Sequence, residues 1–273
     1  MNQYRTNKTK AELQRGEMVL VPEINRVFDP ILVEAVAAAG CSCVWIDLEH
    51  SHADLASLSN MILAARSVDL DIFVRIPHGP YNQVMKPLEL GASGLIWPHC
   101  KSVEDARELV QMAKFRPEGM RGVGGGRDSE WGALDRSAYF DAANENVLLG
   151  VMIEDAEAVD DCEAIAGVPG IDLLFIGPGD LSQSYGVHRD PGHSISQPEV
   201  AQAFDRVGQA CAANGKTMGT AVNPGESMQW AVEHGARWLN FCHDMTALAK
   251  GYGGAMGETA EILSAVTRGP ELA

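Results

Sequence analysis

Eight short apolar runs, most of them rich in β-branched residues and each ending at or just before a glycine, proline or polar residue, alternate along this sequence with longer amphipathic stretches. The runs are Met18–Pro22, Cys43–Asp47, Ile72–Arg75, Gly94–Trp97, Leu148–Ile153, Leu173–Ile176, Thr217–Val222 and Trp238–Cys242. Helix-patterned segments lie between them: Pro30–Ala39, Asp54–Ser67, Val84–Leu90, Val103–Phe115, Ala156–Ala166, Pro198–Ala213 and Gly225–His234. Ser102 stands at the capping position before the fourth of these, and Gly215 just past the sixth. Strand then helix, repeated in this way, is the pattern of a parallel sheet closed into a barrel with helices covering its outer face. A chain of 273 residues is of the size at which such barrels occur as one domain, so residues 1–273 are expected to form a single (β/α)8 TIM barrel.

Two stretches stand outside the rhythm. Arg116–Asn146 is rich in glycine and charge with little apolar periodicity, and is expected to be a long excursion between a strand and its helix. Glu258–Val266 predicts a further amphipathic helix at the C-terminal end.

Composition removes several classes of partner. The formal net charge is −16, which disfavours nucleic acid and anionic membrane surfaces, since both reward clustered Lys and Arg. No apolar run approaches the roughly 20 residues of a membrane span, and no apolar signal core follows the N-terminal positive charges, so a cytoplasmic protein is expected. Six cysteines (Cys41, Cys43, Cys100, Cys162, Cys211 and Cys242) lie in core-like segments without zinc-ribbon or CxxC spacing, and read as reduced buried thiols. Cys41-Ser-Cys43 is a weak candidate for a metal or redox pair.

In a barrel of this kind the chemistry is carried by the C-terminal ends of the strands. The second run ends in Asp47-Leu48-Glu49-His50. Asp47 and His50 could meet there as a carboxylate–imidazole dyad, or Asp47 could cap the next helix while His50 is solvated. The third run ends in Arg75, which offers a bidentate grip on a carboxylate or oxyanion, or a salt bridge across the rim. The fifth and sixth runs are followed by Glu154 and by Gly177-Pro178-Gly179-Asp180. Glu154 and Asp180 could converge on one hard cation, and the amides of Gly179 and Asp180, in a tight turn, could hold an anionic end of the substrate. Each carboxylate alone also reads as a helix cap. Gly122–Gly126 is a candidate phosphate cradle but follows no clear strand and lacks the P-loop lysine, so a flexible loop is the better reading. His99 and His243-Asp244 also stand at strand ends, where they shape the pocket or simply terminate their strands.

From about Gly16 to Leu263 the chain resembles the HpcH/HpaI aldolases, the metal-dependent class II pyruvate aldolases. The resemblance is carried by Ile46-Asp47-Leu48-Glu49-His50, Val74-Arg75-Ile76-Pro77, Arg116–Val123 and Phe175–Ser182. It implies a barrel whose extra C-terminal helix is exchanged between subunits of a dimer or hexamer. It also implies a divalent cation (Mg2+, Mn2+ or Co2+) and cleavage or formation of the C–C bond of a 4-hydroxy-2-oxo acid through a pyruvate enolate, with an aldehyde as the second product. Position by position it makes Glu154 and Asp180 the metal ligands, Arg75 the enolate-stabilising residue, and His50 with Asp47 the dyad that handles the 4-hydroxyl proton. No lysine lies inside any of the eight proposed strands, in keeping with a reaction that needs no Schiff base.

The chain departs from the family pattern at Val21–Asn25, Glu89, Trp97–Cys100 and Arg127–Glu130. These positions are expected to face the aldehyde side of the pocket. Three alternatives stay open: oxaloacetate decarboxylation at the same site, a phosphate-binding barrel isomerase, and a non-catalytic barrel.

Overall fold

The computed structural model describes residues 4–187, 195 and 197–268. Eight parallel strands close into one barrel in sequence order: β1 (Val19–Ile24), β2 (Cys43–Asp47), β3 (Asp71–Arg75), β4 (Gly94–Trp97), β5 (Leu148–Ile153), β6 (Leu173–Ile176), β7 (Thr217–Ala221) and β8 (Ala236–His243). The helices are α1 (Lys8–Gln14), α2 (Pro30–Ala38), α3 (Leu55–Ser67), α4 (Tyr81–Leu90), α5 (Val103–Ala113), α6 (Arg136–Asn146), α7 (Ala156–Asp160), α8 (Cys162–Ala166), α9 (Pro178–Ser184), α10 (Pro198–Asn214), α11 (Glu226–Glu233) and α12 (Asp244–Arg268). The expected TIM barrel is the observed fold.

Strand side chains alternate between the two faces of a sheet, so each run feeds two cores. Val21, Trp45, Phe73, Met152, Phe175 and Trp238 point inward and pack on one another, with ring centroids 5.0 Å apart for Trp45 and Phe175 and 4.8 Å for Phe73 and Trp238. Their neighbours Val44, Ile46, Ile72, Val74 and Leu174 point outward onto the helices. Burial of a side chain such as Phe73 contributes roughly 1.5–3 kcal/mol. The filled interior is a floor on which polar groups at the strand ends stand.

Helix α1 closes the N-terminal end of the barrel, although its sequence is polar and carries no apolar stripe. Asn7 caps it, the Thr9 hydroxyl donates to Asp71 at 3.0 Å, the Lys10 ammonium donates to the Val147 carbonyl and to Asp172 at 3.0 Å each, and Leu13 joins the inner core. These tertiary contacts, rather than local propensity, hold it.

The sequence reading needs correction at several elements. Strand β1 runs past Pro22 to Ile24, and its register with β8 shifts between Val21 and Pro22, where proline has no N–H to give. The Ala156–Ala166 segment divides into α7 and α8, and the expected tight turn after Gly177 is the start of α9, with Pro178 at its first position. The C-terminal helix is 25 residues long, starting at Asp244 rather than at Glu258. The Arg116–Asn146 excursion follows helix α5 and precedes strand β5, so it joins a helix to the next strand rather than a strand to its helix as expected. It contains α6 and is pinned by a buried Arg121–Asp128 ion pair (2.6 Å) that also accepts the Tyr139 hydroxyl. Among the described residues no helix is long and apolar enough to cross a membrane.

Candidate active site

The inward register that builds the core ends in charge. One step above the aromatic floor, the inward positions of β1, β2 and β3 are Glu23, Asp47 and Arg75, and β5 leads into Glu154. Asp47 and Arg75 are direct partners in the β2–β3 register. A cleft of about 320 Å³ opens above them, floored by Trp45, Met152 and Phe175 and walled by Glu23, Arg75, Asp180, Asn240 and His243.

Asp47 is fully buried, and both its oxygens are taken by Arg75, from Nε at 2.8 Å and from Nη2 at 2.7 Å. This is the bidentate fork geometry that fixes a guanidinium in place. Burial alone would raise the Asp47 pKa; the guanidinium and the amides of Glu49 and His50 outweigh it and hold the carboxyl below its usual range. The same partners push Arg75 up against the opposing effect of burial, so the pair stays ionised. Glu49 adds a second carboxylate 3.4 Å from Arg75 Nε.

The expected Asp47–His50 dyad is not formed. The His50 backbone amide, at 3.3 Å, contacts the Asp47 carboxylate, whereas the imidazole is 59% exposed and lies 3.7 Å from Glu49. The reason is directional: Asp47 is the last inward residue of a strand and faces Arg75 across the register, while His50 has already left the strand.

Glu154 is 2% exposed and accepts the His99 amide at 2.8 Å. Burial first, and then the charges of Asp180 and Glu49, raise its pKa to about 7, despite the favourable His99 contacts. His99 has a positive φ of 49°, and its Nδ1 lies 3.1 Å from Asp155. Burial lowers the His99 pKa, but Asp155, Glu154 and Glu49 more than reverse this. His99 therefore orients Glu154 through its backbone, a role that the sequence left open. Gly177 lets the chain pass close to Glu154: a Cβ there would sit 2.7 Å from Glu154 Oε2. Asp180 and Gly179 are exposed in the first turn of α9, and both line the cleft. Among the described residues no group of three or more His, Cys, Asp or Glu is arranged to hold a metal ion, so any cation here would rest on fewer protein ligands.

A third cluster joins residues that the sequence placed near the pocket, within Val21–Asn25 and at His243, without bringing them together. Glu23, 5% exposed, accepts from Asn240 Nδ2 at 2.7 Å and from Asn25 Nδ2 at 3.1 Å, and lies 3.4 Å from His243 Nδ1. Reading Pro22 as a strand terminator hid the register that sets Glu23 beside His243. His243, left open between pocket and terminator, lines the cleft, while Asp244 ties down the loop after β1 by accepting the amides of Arg26 and Val27.

Other candidates lie elsewhere. Gly122–Gly126 packs on α4: Gly122 donates to the Tyr81 hydroxyl, and a Cβ at Gly124 would collide with the Glu89 carboxylate. A carboxylate in that position repels phosphate, and none of Gly122–Gly126 lines the cleft. Glu89 and Arg127–Glu130 lie by the C-terminal end of α4, with Arg127 on the Leu90 carbonyl and Arg66 on Glu130, so within this chain they do not face the pocket as expected. All six cysteines are free thiols, and Cys43 is a core residue with its pKa raised by burial.

Residues 26–250 match the model of the HpcH/HpaI aldolase/citrate lyase family. The chain belongs to that family. The 4-hydroxy-2-oxovalerate aldolase of Rhodococcus jostii is 35% identical over 223 residues, covering 81% of this chain and 84% of that protein. The hydroxypyruvate/pyruvate aldolase of Cupriavidus necator is 37% identical over 196 residues, 71% of each. The crystal structure of an HpcH/HpaI aldolase from Desulfitobacterium hafniense superposes with a TM-score of 0.82 at 29% identity, covering 97% of this chain and 98% of that one. As an HpcH/HpaI protein this chain is a carbon–carbon lyase of the aldolase type, as its motifs implied.

Proposed function

We propose that this HpcH/HpaI protein is a divalent-metal-dependent aldolase, using Mg2+, Mn2+ or Co2+, that cleaves or forms the C–C bond of a 4-hydroxy-2-oxo acid to give pyruvate, or a close 2-oxo acid, and an aldehyde. The observation that carries this reading is Glu154, a buried carboxylate whose pKa is pushed to about 7 by burial and by Asp180 and Glu49. A site that concentrates negative charge in this way fits a hard cation. Glu154 and Asp180 would hold it, with the rest of its coordination left to water and substrate oxygens. When bound, the cation supplies a Lewis acid that lowers the cost of negative charge on a 2-oxo group.

The chain's own groups do the rest. Arg75, locked by Asp47, presents a fixed positive charge in the cleft, where enolate charge develops, and needs no reorganisation to do so. The amides of Gly179 and Asp180, in the first turn of α9, add donors for the substrate carboxylate. Trp45, Met152 and Phe175 exclude water beneath the reacting carbons, which protects an enolate from indiscriminate protonation.

We also infer that the whole chain is one domain and that it acts as a homo-oligomer. Tyr252, Met256 and Ile262 are 73%, 70% and 64% exposed on α12, more apolar surface than one helix usually leaves in water.

The direct check is steady-state cleavage of 4-hydroxy-2-oxovalerate, with pyruvate as the readout. Turnover should vanish with EDTA and return with Mn2+ or Mg2+. Undiminished turnover in chelator would contradict the metal assignment to Glu154 and Asp180.

A further inference from the structure

We propose that Asn240 and His243 select a hydroxyaldehyde as the second product of this enzyme, with Asn240 Oδ1 accepting from the hydroxyl next to the aldehyde carbon and His243 Nε2 donating to it. The proposal rests on the aldolase reading above, names the chemical class of the aldehyde, and leaves the proton-transfer step with the groups that follow β2.

Asn240 stands on β8 one inward step above Trp238, between Val21 of β1 and Ala221 of β7. It is 4% exposed and lines both the cleft and a second cavity of about 220 Å³ beside it. Its Nδ2 donates to Glu23 Oε2 at 2.7 Å. That bond fixes which way the amide lies. His243, Arg75 and Asn240 keep the Glu23 carboxylate ionised despite burial, so it has no hydrogen to give, and a flipped amide would set oxygen against oxygen. The Asn240 Oδ1 is thereby turned away from Glu23, and it is buried without a hydrogen-bond partner. A buried acceptor without a donor is costly, and one beside a cleft calls for a ligand that brings the hydrogen.

His243 supplies the complement. Asn25 Nδ2 lies 3.2 Å from His243 Nδ1 and 3.1 Å from Glu23 Oε1, so its two hydrogens serve both. Nδ1 accepts, which leaves the ring proton on Nε2. A protonated imidazole carries a hydrogen there as well, so Nε2 is a donor in either state. The ring is 47% exposed and lines the same cleft as His50.

An acceptor and a donor at one strand end match a hydroxyl, which both gives and takes a hydrogen bond. A carboxylate has no hydrogen for Oδ1 and would stand near the Glu23 charge. An alkyl chain leaves both groups unpaired. The adjoining cavity shares Pro178, Ala221, Asn240 and His243 with the cleft, and its wall adds Asn223, Ser227 and Thr246. Its polar wall and volume suit further hydroxylated carbons of a longer aldehyde.

The test measures kcat/KM with Mn2+ for condensation of pyruvate with three aldehydes: glycolaldehyde, propionaldehyde, which has a methyl in place of the hydroxyl, and glyoxylate. Wild type, Asn240→Leu, His243→Leu and His243→Gln are compared, and pyruvate methyl exchange in D2O, which needs no aldehyde, is followed for each. Wild type should favour glycolaldehyde over propionaldehyde by at least about a hundredfold. Asn240→Leu and His243→Leu should each lower that ratio at least about tenfold, with a far smaller fall in exchange. His243→Gln, whose amide keeps a donor, should hold the ratio near the wild-type value. A wild-type ratio below threefold, a preference for glyoxylate, or leucine variants that slow both aldehydes and exchange in step would overturn the assignment. Wild-type protein that exchanges the pyruvate methyl under no condition would instead overturn the aldolase reading itself, before any aldehyde is compared.

Discussion

Glu154→Gln is expected to abolish turnover, by at least about a thousandfold, and at the same time to stabilise the metal-stripped protein. The two effects share one cause. Glu154 is 2% exposed, and burial, Asp180 and Glu49 raise its pKa from 4.5 to about 7. The native state therefore binds a proton more tightly than the unfolded chain does, so the group costs nothing below about pH 4.5. Its cost grows as pH rises through the window and is complete above about 7, with an upper bound of about 3 kcal/mol. Glutamine keeps the shape and can still accept the His99 amide, yet carries no charge. Thermal melts in EDTA should show the variant melting a few degrees higher than wild type at pH 8, and the difference should shrink toward pH 5. Added Mn2+ should raise the wild-type Tm and leave the variant unmoved. A variant that keeps its turnover, or that melts below wild type at pH 8 in EDTA, would contradict the account of Glu154 as a cation ligand under charge strain.

Arg75→Met is expected to damage both stability and catalysis. Asp47 is fully buried and depends on Arg75 for two hydrogen bonds. Removing one partner of a buried ion pair leaves an uncompensated charge and costs about 3–5 kcal/mol. The double variant Asp47→Asn/Arg75→Met removes that charge and should recover most of the stability in urea titrations. It should recover none of the activity, because the guanidinium that faces developing enolate charge is gone, and loss of one such donor costs about a hundred- to a thousandfold in kcat. Arg75→Lys should fall between, since a single ammonium cannot reproduce the fork. Equal stability of the single and double variants would mean that Asp47 is not held by this pair in solution.

Much of this was legible in the sequence because the barrel writes a period of two onto its strands. The runs Cys43–Asp47, Gly94–Trp97, Leu148–Ile153 and Leu173–Ile176 match β2, β4, β5 and β6 residue for residue, and they place Asp47 at the cleft and Glu154 directly after β5. The losses came where tertiary structure overrules a local signal. Pro22 reads as a terminator, yet the register shift beside it absorbs the missing donor and lets β1 carry Glu23 into the site. Gly177-Pro178-Gly179-Asp180 reads as a turn, but proline at a first helical position starts α9 instead. The Asp47–His50 spacing suggested a dyad because sequence separation does not say which way a side chain faces, whereas the register with Arg75 does. His99 acts through its backbone amide on Glu154, and no residue type announces that.

The measurement that bears most directly on the central claim is NMR of the pyruvate methyl signal in D2O, with purified protein in EDTA and then with Mn2+ or Mg2+. It reports formation of the enolate alone, without an aldehyde. Exchange that appears only with the cation, and is lost in Glu154→Gln, is the predicted result; exchange that proceeds equally in EDTA, or is absent under every condition, would contradict a metal-dependent enolate site at the ends of β5 and β6.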